Sequence, residues 1–582
     1  SKTVYSYAAF STIMKQLKLE DYAIIQPYLE KANYEGYNSN FVTMMMWNHE
    51  YHIQYEIHDN FLIMLHHYKN IYFWAMPFTT PEFYQEALDY MIKYSHQHGF
   101  PFMIDCAIES FVSTLQKNDY SHQFLFERTP FNDDYIYDKD MLQTLAGKKM
   151  QKRRNHYNAF LKAYPDYEYR DLDIVKDFDI IFTCLNRWEG EKDNLSESMT
   201  SEVRGIMSLL SSKHLLPFHI GGIFIHNQLE AFIIASKLNH STIQIHVEKA
   251  NKDIRGLYPA ILKELLEHHF QNEKWVNREE DMGLENLRRS KQSLHPVKMI
   301  HKYRIYENQT IIEKANDHNL EDIKKLWLQC FEDETEESTN YYFQELYHKE
   351  NTFVLKNDNR ILSALQIVPM SIMKNKKPEE CYFILGVCTH PYFQKQGLMK
   401  QLLYFVLSKY TNKTIYLQAY HPEIYRPFGF HASHYHQVIE IDKNMLENYS
   451  DLKISQQYDL LEKYYHQFVS HFDEYRIRSH EYWQLLRKRC ESFNDQILIF
   501  EDLGYFIYHE DDESIYISEA IYFNQNNLLQ MLSYFKKSSK KLILECDMTV
   551  NLNGESKYII TMMSNTLQKD RMESNKYINE VY

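Results

Sequence analysis

One stretch of the sequence combines a buried strand, a proline turn and a glycine at the start of an amphipathic helix. The strand covers residues 383–389, Pro391 anchors the turn, and apolar residues recur at helical spacing after Gly397. Gly397 lets the backbone approach a ligand closely, and the N–H groups of a first helical turn attract anions. Lys395 and Lys400 add positive charge. The pattern predicts a cradle for a diphosphate group, without the spacing of a dinucleotide-binding turn or a P-loop.

A tyrosine that could act as a proton donor follows this stretch. A short strand is predicted over residues 414–419, and residues 425–430 then read Tyr-Arg-Pro-Phe-Gly-Phe. A phenol is protonated at neutral pH, and its pKa is close to that of an alkyl thiol. Tyr425 is therefore suited to protonate a departing thiolate. Because the chain has 48 tyrosines, a packed ring with a satisfied hydroxyl is the alternative interpretation.

These two elements together resemble the GNAT acetyltransferases. The family's (R/Q)-x-x-G-x-(G/A) signature corresponds to residues 394–399, where Met399 replaces the small residue, and its Y-x-x-x-G-F element corresponds to residues 425–430. The resemblance implies acetyl-CoA as co-substrate, no metal, and Tyr425 as catalytic acid. The residues that it implies at the cofactor are Val387, Cys388, Thr389, Gln394, Lys395, Gln396, Gly397, Leu398, Met399, Lys400, Tyr420 and His421.

Residues 308–582 resemble more closely the Eis-type acetyltransferases. Residues 386–391, 424–429 and 476–483 carry this resemblance. Those proteins have two GNAT-like lobes followed by a sterol-carrier-like domain. About 140 residues follow Ile441, which is enough for one more domain, so we expect the sterol-carrier-like domain to be missing. In that family the terminal carboxylate lies in the active site, which makes Tyr582 a candidate catalytic residue.

Residues 1–305 resemble a different family, the phosphatidylglycerol lysyltransferase C-terminal-like proteins. These are themselves a tandem pair of GNAT-like lobes. The resemblance is carried by residues 147–155, 246–258 and 277–296.

Charged residues in this N-terminal half suggest two local roles. Five cations and no acid lie between Lys148 and Arg154. They could hold a tRNA or lipid phosphate, and a solvated helix face is an equally good interpretation. Glu279, Asp281 and Lys291 could serve an acceptor amine, but an internal ion network is the preferred interpretation.

The elements that must position these residues alternate short apolar strands with helices. Hairpins followed by a helical crossover are typical of mixed α/β units. The strands are predicted at residues 61–65, 71–75, 218–225, 231–235 and 242–247, and the helices at 81–97 and 258–271. With the two resemblances, the expected fold class is α/β with mixed α+β sheets. Four GNAT-like acyl-CoA N-acyltransferase lobes form two tandem pairs, over residues 1–140, 141–305, 306–440 and 441–582.

Composition narrows the class of protein. The net charge of −15 over 582 residues argues against a protein whose main role is binding nucleic acid. Seven scattered cysteines without a CxxC pair predict a cytoplasmic chain without a disulfide framework. No apolar run approaches the roughly 18 residues of a membrane-spanning helix. The run from His49 to His52 has the wrong spacing for an HExxH zinc motif, so no structural metal is predicted.

The predicted function is an acetyl-CoA-dependent N-acetyltransferase acting on a primary amine of a small molecule or peptide. Two alternatives stay open. One is a tRNA-dependent aminoacyltransferase, lysyl-phosphatidylglycerol synthase-like or Fem-like, with its chemistry in residues 1–305. The other is a non-enzymatic scaffold.

Overall fold

The computed structural model describes residues 14–189 and 197–580. The chain divides into two compact units, residues 1–308 and 309–582. Both units are mixed α/β structures, as predicted, with parallel and antiparallel strand pairs in every sheet. No helix in the described ranges is long and apolar enough to cross a membrane. All seven cysteines are free thiols.

The first unit contains two seven-stranded sheets, formed in the order β1-β2-β3-β4-β5-β14-β6 and β13-β7-β12-β11-β10-β9-β8. Its strands are β1 Lys15–Gln16, β2 Gln54–Ile57, β3 Leu62–Tyr68, β4 Ile71–Trp74, β5 Met103–Ile108, β6 Phe124–Arg128, β7 Asp134–Asp138, β8 Glu168–Asp171, β9 Phe218–Ile225, β10 Gln228–Lys237, β11 Thr242–Ala250, β12 Trp275–Asn277, β13 Lys298–Ile300 and β14 Lys302–Glu307. Its helices are α1 Tyr22–Ala32, α2 Phe41–Tyr51, α3 Tyr84–Gln97, α4 Glu109–Gln116, α5 Lys139–Thr144, α6 Gln151–Ala163, α7 Phe178–Glu189, α8 Glu197–Leu210, α9 Leu257–His268 and α10 Glu285–Gln292.

The second unit is built on one continuous sheet in the order β15-β16-β17-β18-β19-β27-β20-β26-β25-β24-β23-β21, with β22 and β28 paired beside β17. Its strands are β15 Thr310–Lys314, β16 Thr352–Asn357, β17 Arg360–Lys374, β18 Lys377–Thr389, β19 Ile415–Leu417, β20 His431–Glu440, β21 Ile454–Ser455, β22 Glu474–Arg476, β23 Gln496–Phe500, β24 Gly504–Glu510, β25 Ser514–Tyr522, β26 Lys541–Cys546, β27 Ser556–Ser564 and β28 Lys576–Tyr577. Its helices are α11 Leu320–Cys330, α12 Glu336–Tyr341, which continues as a π-helix over Tyr342–Leu346, α13 Leu398–Lys409, α14 Asp459–Val469, α15 His480–Phe493 and α16 Gln525–Leu532.

The interior strand β10 shows how the core of the first unit is built. Ala231 to Ala235 are completely buried, as expected for a strand covered on both faces. Because side chains alternate along a strand, Ala231, Ile233 and Ala235 pack in one apolar cluster with α9. Phe232 and Ile234 pack in another with α7 and α8.

In each unit, a strand near the C-terminal end pairs with strands that come much earlier in the chain. Strand β14 lies between β5 and β6, and β27 lies between β19 and β20. The first sheet of the first unit and the single sheet of the second unit are therefore complete only when the end of that unit is in place. The division into four lobes over residues 1–140, 141–305, 306–440 and 441–582 remains our proposal. Strands cross these boundaries in both pairs of lobes: β7 and β14 in the first pair, and β22 and β27 in the second.

Candidate active site

The strand that precedes the predicted cradle separates from its parallel neighbour halfway along its length. Strand β18 pairs with β19 only at Tyr382, Phe383 and Ile384, although it continues to Thr389. Beyond Ile384 the β19-facing edge of β18 has no strand partner among the described residues. The divergence opens a slot between two parallel strands, a common position for ligands in open α/β sheets.

A β-bulge lies in β18 at the start of this slot. The register with β17 changes between the Ala364–Cys388 and Gln366–Leu385 pairs, so Gly386 and Val387 face a single residue. Gly386 has φ +63°, and a Cβ there would lie 2.8 Å from the Tyr342 hydroxyl oxygen. Only glycine suits this position, because both the backbone conformation and the close aromatic side chains exclude a side chain.

The predicted cradle is an open turn at the start of α13. Gly397 is the N-cap residue with φ +78°, and a Cβ built on it has no atom within 4 Å. Gln394, Lys395 and Lys400 are exposed around it, whereas Leu398 is buried and fixes the first helical turn to the core. The N–H groups of that turn have no intrahelical acceptor. The turn thus has space and donors for an anionic group.

Tyr425 lies next to the slot. It is half-buried between two short 3₁₀ turns. Burial raises the pKa of its phenol to about 12, and the nearby Cys388 thiol adds a smaller effect. Since Cys388 belongs to the open end of β18, Tyr425 lies within electrostatic range of that end of the strand. The phenol keeps its proton throughout the neutral pH range.

The remaining predicted cofactor residues are less enclosed. Val387, Thr389, Gln396 and Met399 are half-buried, and Cys388 is buried. Tyr420 is 98% exposed, and the exposed His421 lies 3.4 Å from a Glu423 carboxylate oxygen. Tyr582 lies outside the described residues.

Three side chains at the slot were missed by the sequence analysis. Trp327 and Tyr342 stack on each other, with ring centroids 3.9 Å apart, against Gly386. The Cys330 thiol donates to the Thr389 carbonyl oxygen at 3.2 Å. All three come from helices more than 30 residues before β18, and no local pattern in the sequence marks them.

The first unit repeats this arrangement but closes its cradle. Strand β11 pairs with the parallel β12 only at Thr242, Ile243 and Gln244 and continues to Ala250. Helix α9 begins at Gly256, which has φ +83°, like Gly397 before α13. A Cβ at Gly256, however, would overlap the carbonyl oxygen of His156 in α6. Helix α6 thus occupies the space that is open beside Gly397.

We expect Gly256→Ala to destabilise the protein by about 2 kcal/mol or more, because the backbone of α6 must move and the left-handed conformation is strained for alanine. The matched control is Gly147→Ala in the same unit. Gly147 also has a positive φ, but its Cβ would meet no atom within 4 Å. Denaturant unfolding of both variants checks the prediction. Equal stability losses would show that α6 does not close the cradle.

Charged groups of the first unit cluster in its interior. Lys302 donates to Asp134 at 2.8 Å, and both side chains are fully buried. Burial raises the pKa of Glu280 to about 7 and also raises that of Glu279, which accepts a hydrogen bond from Gln244 at 2.9 Å. Burial lowers the pKa of Lys291, the group that faces Glu279. Lys291 itself donates to the carbonyl oxygens of Arg278 and Glu280, so the ion network expected among Glu279, Asp281 and Lys291 remains a prediction.

Asp281 extends the network toward α10. Its carboxylate accepts hydrogen bonds from the Tyr135 hydroxyl at 2.7 Å and from Arg288 at 3.2 Å. The described residues contain no group of three or more His, Cys, Asp or Glu side chains arranged to hold a metal ion.

The basic side chains of residues 148–154 lie in different environments. Lys148, Lys149 and Lys152 are exposed. Arg154 donates to the carbonyl oxygens of Leu145 and Gly147 and so stabilises the turn before α6. Arg153 points into the unit, where burial lowers its pKa to about 10.

Comparison with known families agrees with the division of the chain into two units at residues 308 and 309. The phosphatidylglycerol lysyltransferase C-terminal family matches residues 30–306. The acetyltransferase (GNAT) domain family matches residues 312–433. The chain therefore combines a phosphatidylglycerol lysyltransferase C-terminal domain with a GNAT acetyltransferase domain.

Individual relatives are distant. An uncharacterized protein of Mycoplasmoides gallisepticum is 27% identical over 191 residues, which are 32% of this chain and 59% of that protein. A protein of unknown function from Bacteroides thetaiotaomicron is 27% identical with a TM-score of 0.47, covering 51% of this chain and 99% of that one. L-PGS from Bacillus licheniformis is 14% identical with a TM-score of 0.38, covering 51% and 95%. The chain thus spans 59% of the length of the curated relative that it matches.

Proposed function

We propose that residues 309–582 form an acetyl-CoA-dependent N-acetyltransferase that acts on a primary amine of a small molecule or peptide. One arrangement carries the proposal: a slot beside β18, an open cradle at Gly397, and a protonated phenol at Tyr425. The GNAT match over residues 312–433 supports the same class of reaction.

The residues present suit acetyl-CoA. In this proposal the N–H groups of residues 396–399, with Lys395 and Lys400, hold the CoA phosphates. Bound acetyl-CoA would supply an activated thioester. An unprotonated primary amine would attack the carbonyl carbon, and the backbone N–H groups at Val387 to Thr389 would stabilise negative charge on the carbonyl oxygen. As the C–S bond breaks, Tyr425 would give its phenolic proton to the departing thiolate, and the proton lost by the amine would return to the phenol through solvent. Tyr420 and His421 remain proposed contacts of the cofactor or acceptor.

We expect residues 309–582, expressed alone, to fold and bind acetyl-CoA, and residues 1–308 to fold without binding it. The physical reason is the difference between the two cradles, one open at Gly397 and one closed by α6 at Gly256. Isothermal titration calorimetry on both fragments, with circular dichroism as the control for folding, measures this. Acetyl-CoA binding by the N-terminal fragment would contradict the assignment.

A second candidate function belongs to the first unit. Its match to the phosphatidylglycerol lysyltransferase C-terminal family and its buried carboxyl groups with raised pKa values, Glu279 and Glu280, favour an aminoacyl transfer there. The test is transfer of labelled lysine from lysyl-tRNA to phosphatidylglycerol vesicles by the full chain and by Glu280→Gln. If the full chain transfers no lysine, aminoacyl transfer from lysyl-tRNA to phosphatidylglycerol is excluded.

A further inference from the structure

Two arginines and one glutamate of the first unit meet where β11 and β12 diverge. Glu248 lies on β11 beyond the last residue pair with β12, and Arg278 follows β12 directly. The Arg278 Nη2 atom donates to Glu248 Oε2 at 2.8 Å. Arg153 reaches the same place from α6, and its pKa responds to both Arg278 and Glu248. The cluster occupies the position in the first unit that the slot beside β18 has in the second.

Several polar atoms of this cluster are buried without a hydrogen-bond partner in the protein. They are Nε and Nη2 of Arg153, Nη1 of Arg278 and Oε1 of Glu248. Within residues 14–189 and 197–580, only Arg153 has two such atoms. Leaving guanidinium donors buried and unpaired is costly, so native proteins usually satisfy them. Three donor atoms and one acceptor atom of this cluster thus lack a partner in the protein.

The charges of the cluster do not balance. Arg153 and Arg278 contribute two positive charges, and Glu248 contributes one negative charge. The neighbouring Lys249 pairs with Glu202 at 2.9 Å, and the Tyr137 hydroxyl donates to the Lys291 carbonyl oxygen at 2.6 Å. These groups are engaged elsewhere. One additional negative charge would neutralise the cluster.

We propose that Arg153 and Arg278 bind a monoanionic group with two oxygens, a carboxylate or a phosphodiester, and that Glu248 accepts a hydrogen bond from a hydroxyl or amine next to it. The Nε and Nη2 atoms form the edge of a guanidinium that holds two oxygens at once. Glu248 Oε1 adds a requirement for a donor on the same ligand. Because α6 closes the cradle at Gly256, the ligand is not CoA. The site is independent of the acetyl transfer proposed for the second unit.

The test uses the full chain and three probes: glycolate as a carboxylate with a hydroxyl, glycerophosphoglycerol as a phosphodiester with hydroxyls, and glycerol as the neutral control. Calorimetry should show that at least one of the two anions binds and that glycerol does not bind. Binding of glycolate alone identifies a carboxylate ligand, and binding of glycerophosphoglycerol alone identifies a phosphodiester. No binding of either anion overturns the proposal.

Matched variants separate a built site from general surface charge. Arg153→Gln should weaken binding at least tenfold, whereas Lys152→Gln removes the same charge from an exposed neighbour and should change binding less than twofold. Equal effects of the two variants overturn the proposal. Arg153→Lys keeps the positive charge but lacks the guanidinium edge that holds two oxygens, so it should also weaken binding at least tenfold. This variant replaces Arg153→Gln in the test if Arg153→Gln does not fold.

A thermal melt adds an independent readout. Without ligand, Arg153→Gln should be at least as stable as the parent chain, because an unpaired buried charge has been removed.

Discussion

Replacing Gly397 with valine is expected to abolish acetyl-CoA binding. The glycine begins α13 in an open turn, and the space beside its Cα is empty. A valine side chain would project into that space, where the CoA phosphates must approach the backbone N–H groups. Calorimetric titration with acetyl-CoA measures the loss, which we expect to be at least ~100-fold, or about 2.7 kcal/mol.

A matched control is available for the backbone strain. A β-branched residue is disfavoured in the left-handed region, and this cost is of the order of 1–3 kcal/mol wherever it occurs. Gly99 in the first unit has φ +73° and also has no atom within 4 Å of a Cβ. Gly99→Val should therefore lose similar stability and keep normal acetyl-CoA binding. If folded Gly397→Val binds acetyl-CoA as well as this control does, the cofactor site is not at α13.

Tyr425→Phe is expected to lower turnover by about 10²-fold or more with little change in acetyl-CoA affinity, because the ring remains and only the proton donor is lost. The raised pKa of Tyr425, about 12, means that the phenol is protonated from pH 6 to 9. The loss should therefore be constant over that range. A panel of primary amines, followed by free-thiol release at saturating acetyl-CoA, measures it.

The control for Tyr425 is Tyr558→Phe. Tyr558 is exposed on β27 of the same unit, so removing its hydroxyl should leave turnover and stability unchanged. A structural Tyr425 would give a different result, namely a lower melting temperature with normal turnover per folded molecule. Parental kcat in Tyr425→Phe, with chemistry rate-limiting, would exclude the phenol from the mechanism.

Local sequence was sufficient to predict several helices and strands of the first unit. The helix predicted at residues 81–97 is a 3₁₀ turn followed by α3, and the predicted strand at 218–225 has the same bounds as β9. The glycine start of α13 is also a local feature, because it depends on backbone conformation and on the apolar face of one helix. The mixed α/β class, predicted from these elements, and the two domain families, predicted from resemblance, are confirmed.

Other features depend on residues far apart in the chain. Strand β27 enters the sheet between β19 and β20 although more than 100 residues separate it from either. Trp327 and Tyr342 require glycine at position 386 only because α11 and the π-helix fold onto β18. Such contacts follow from packing, which a local pattern of residue types does not encode.

The two glycine cradles show what sequence alone determined in this protein and what tertiary structure decided. The sequence determined that a glycine precedes a leucine and an amphipathic helix at both Gly256 and Gly397. Each begins its helix with a positive φ, which glycine adopts without strain. Only the tertiary structure decided that the first is closed and the second open. The reason is steric: the carbonyl oxygen of His156, about 100 residues earlier in the chain, occupies the space beside Gly256, and no atom occupies the space beside Gly397.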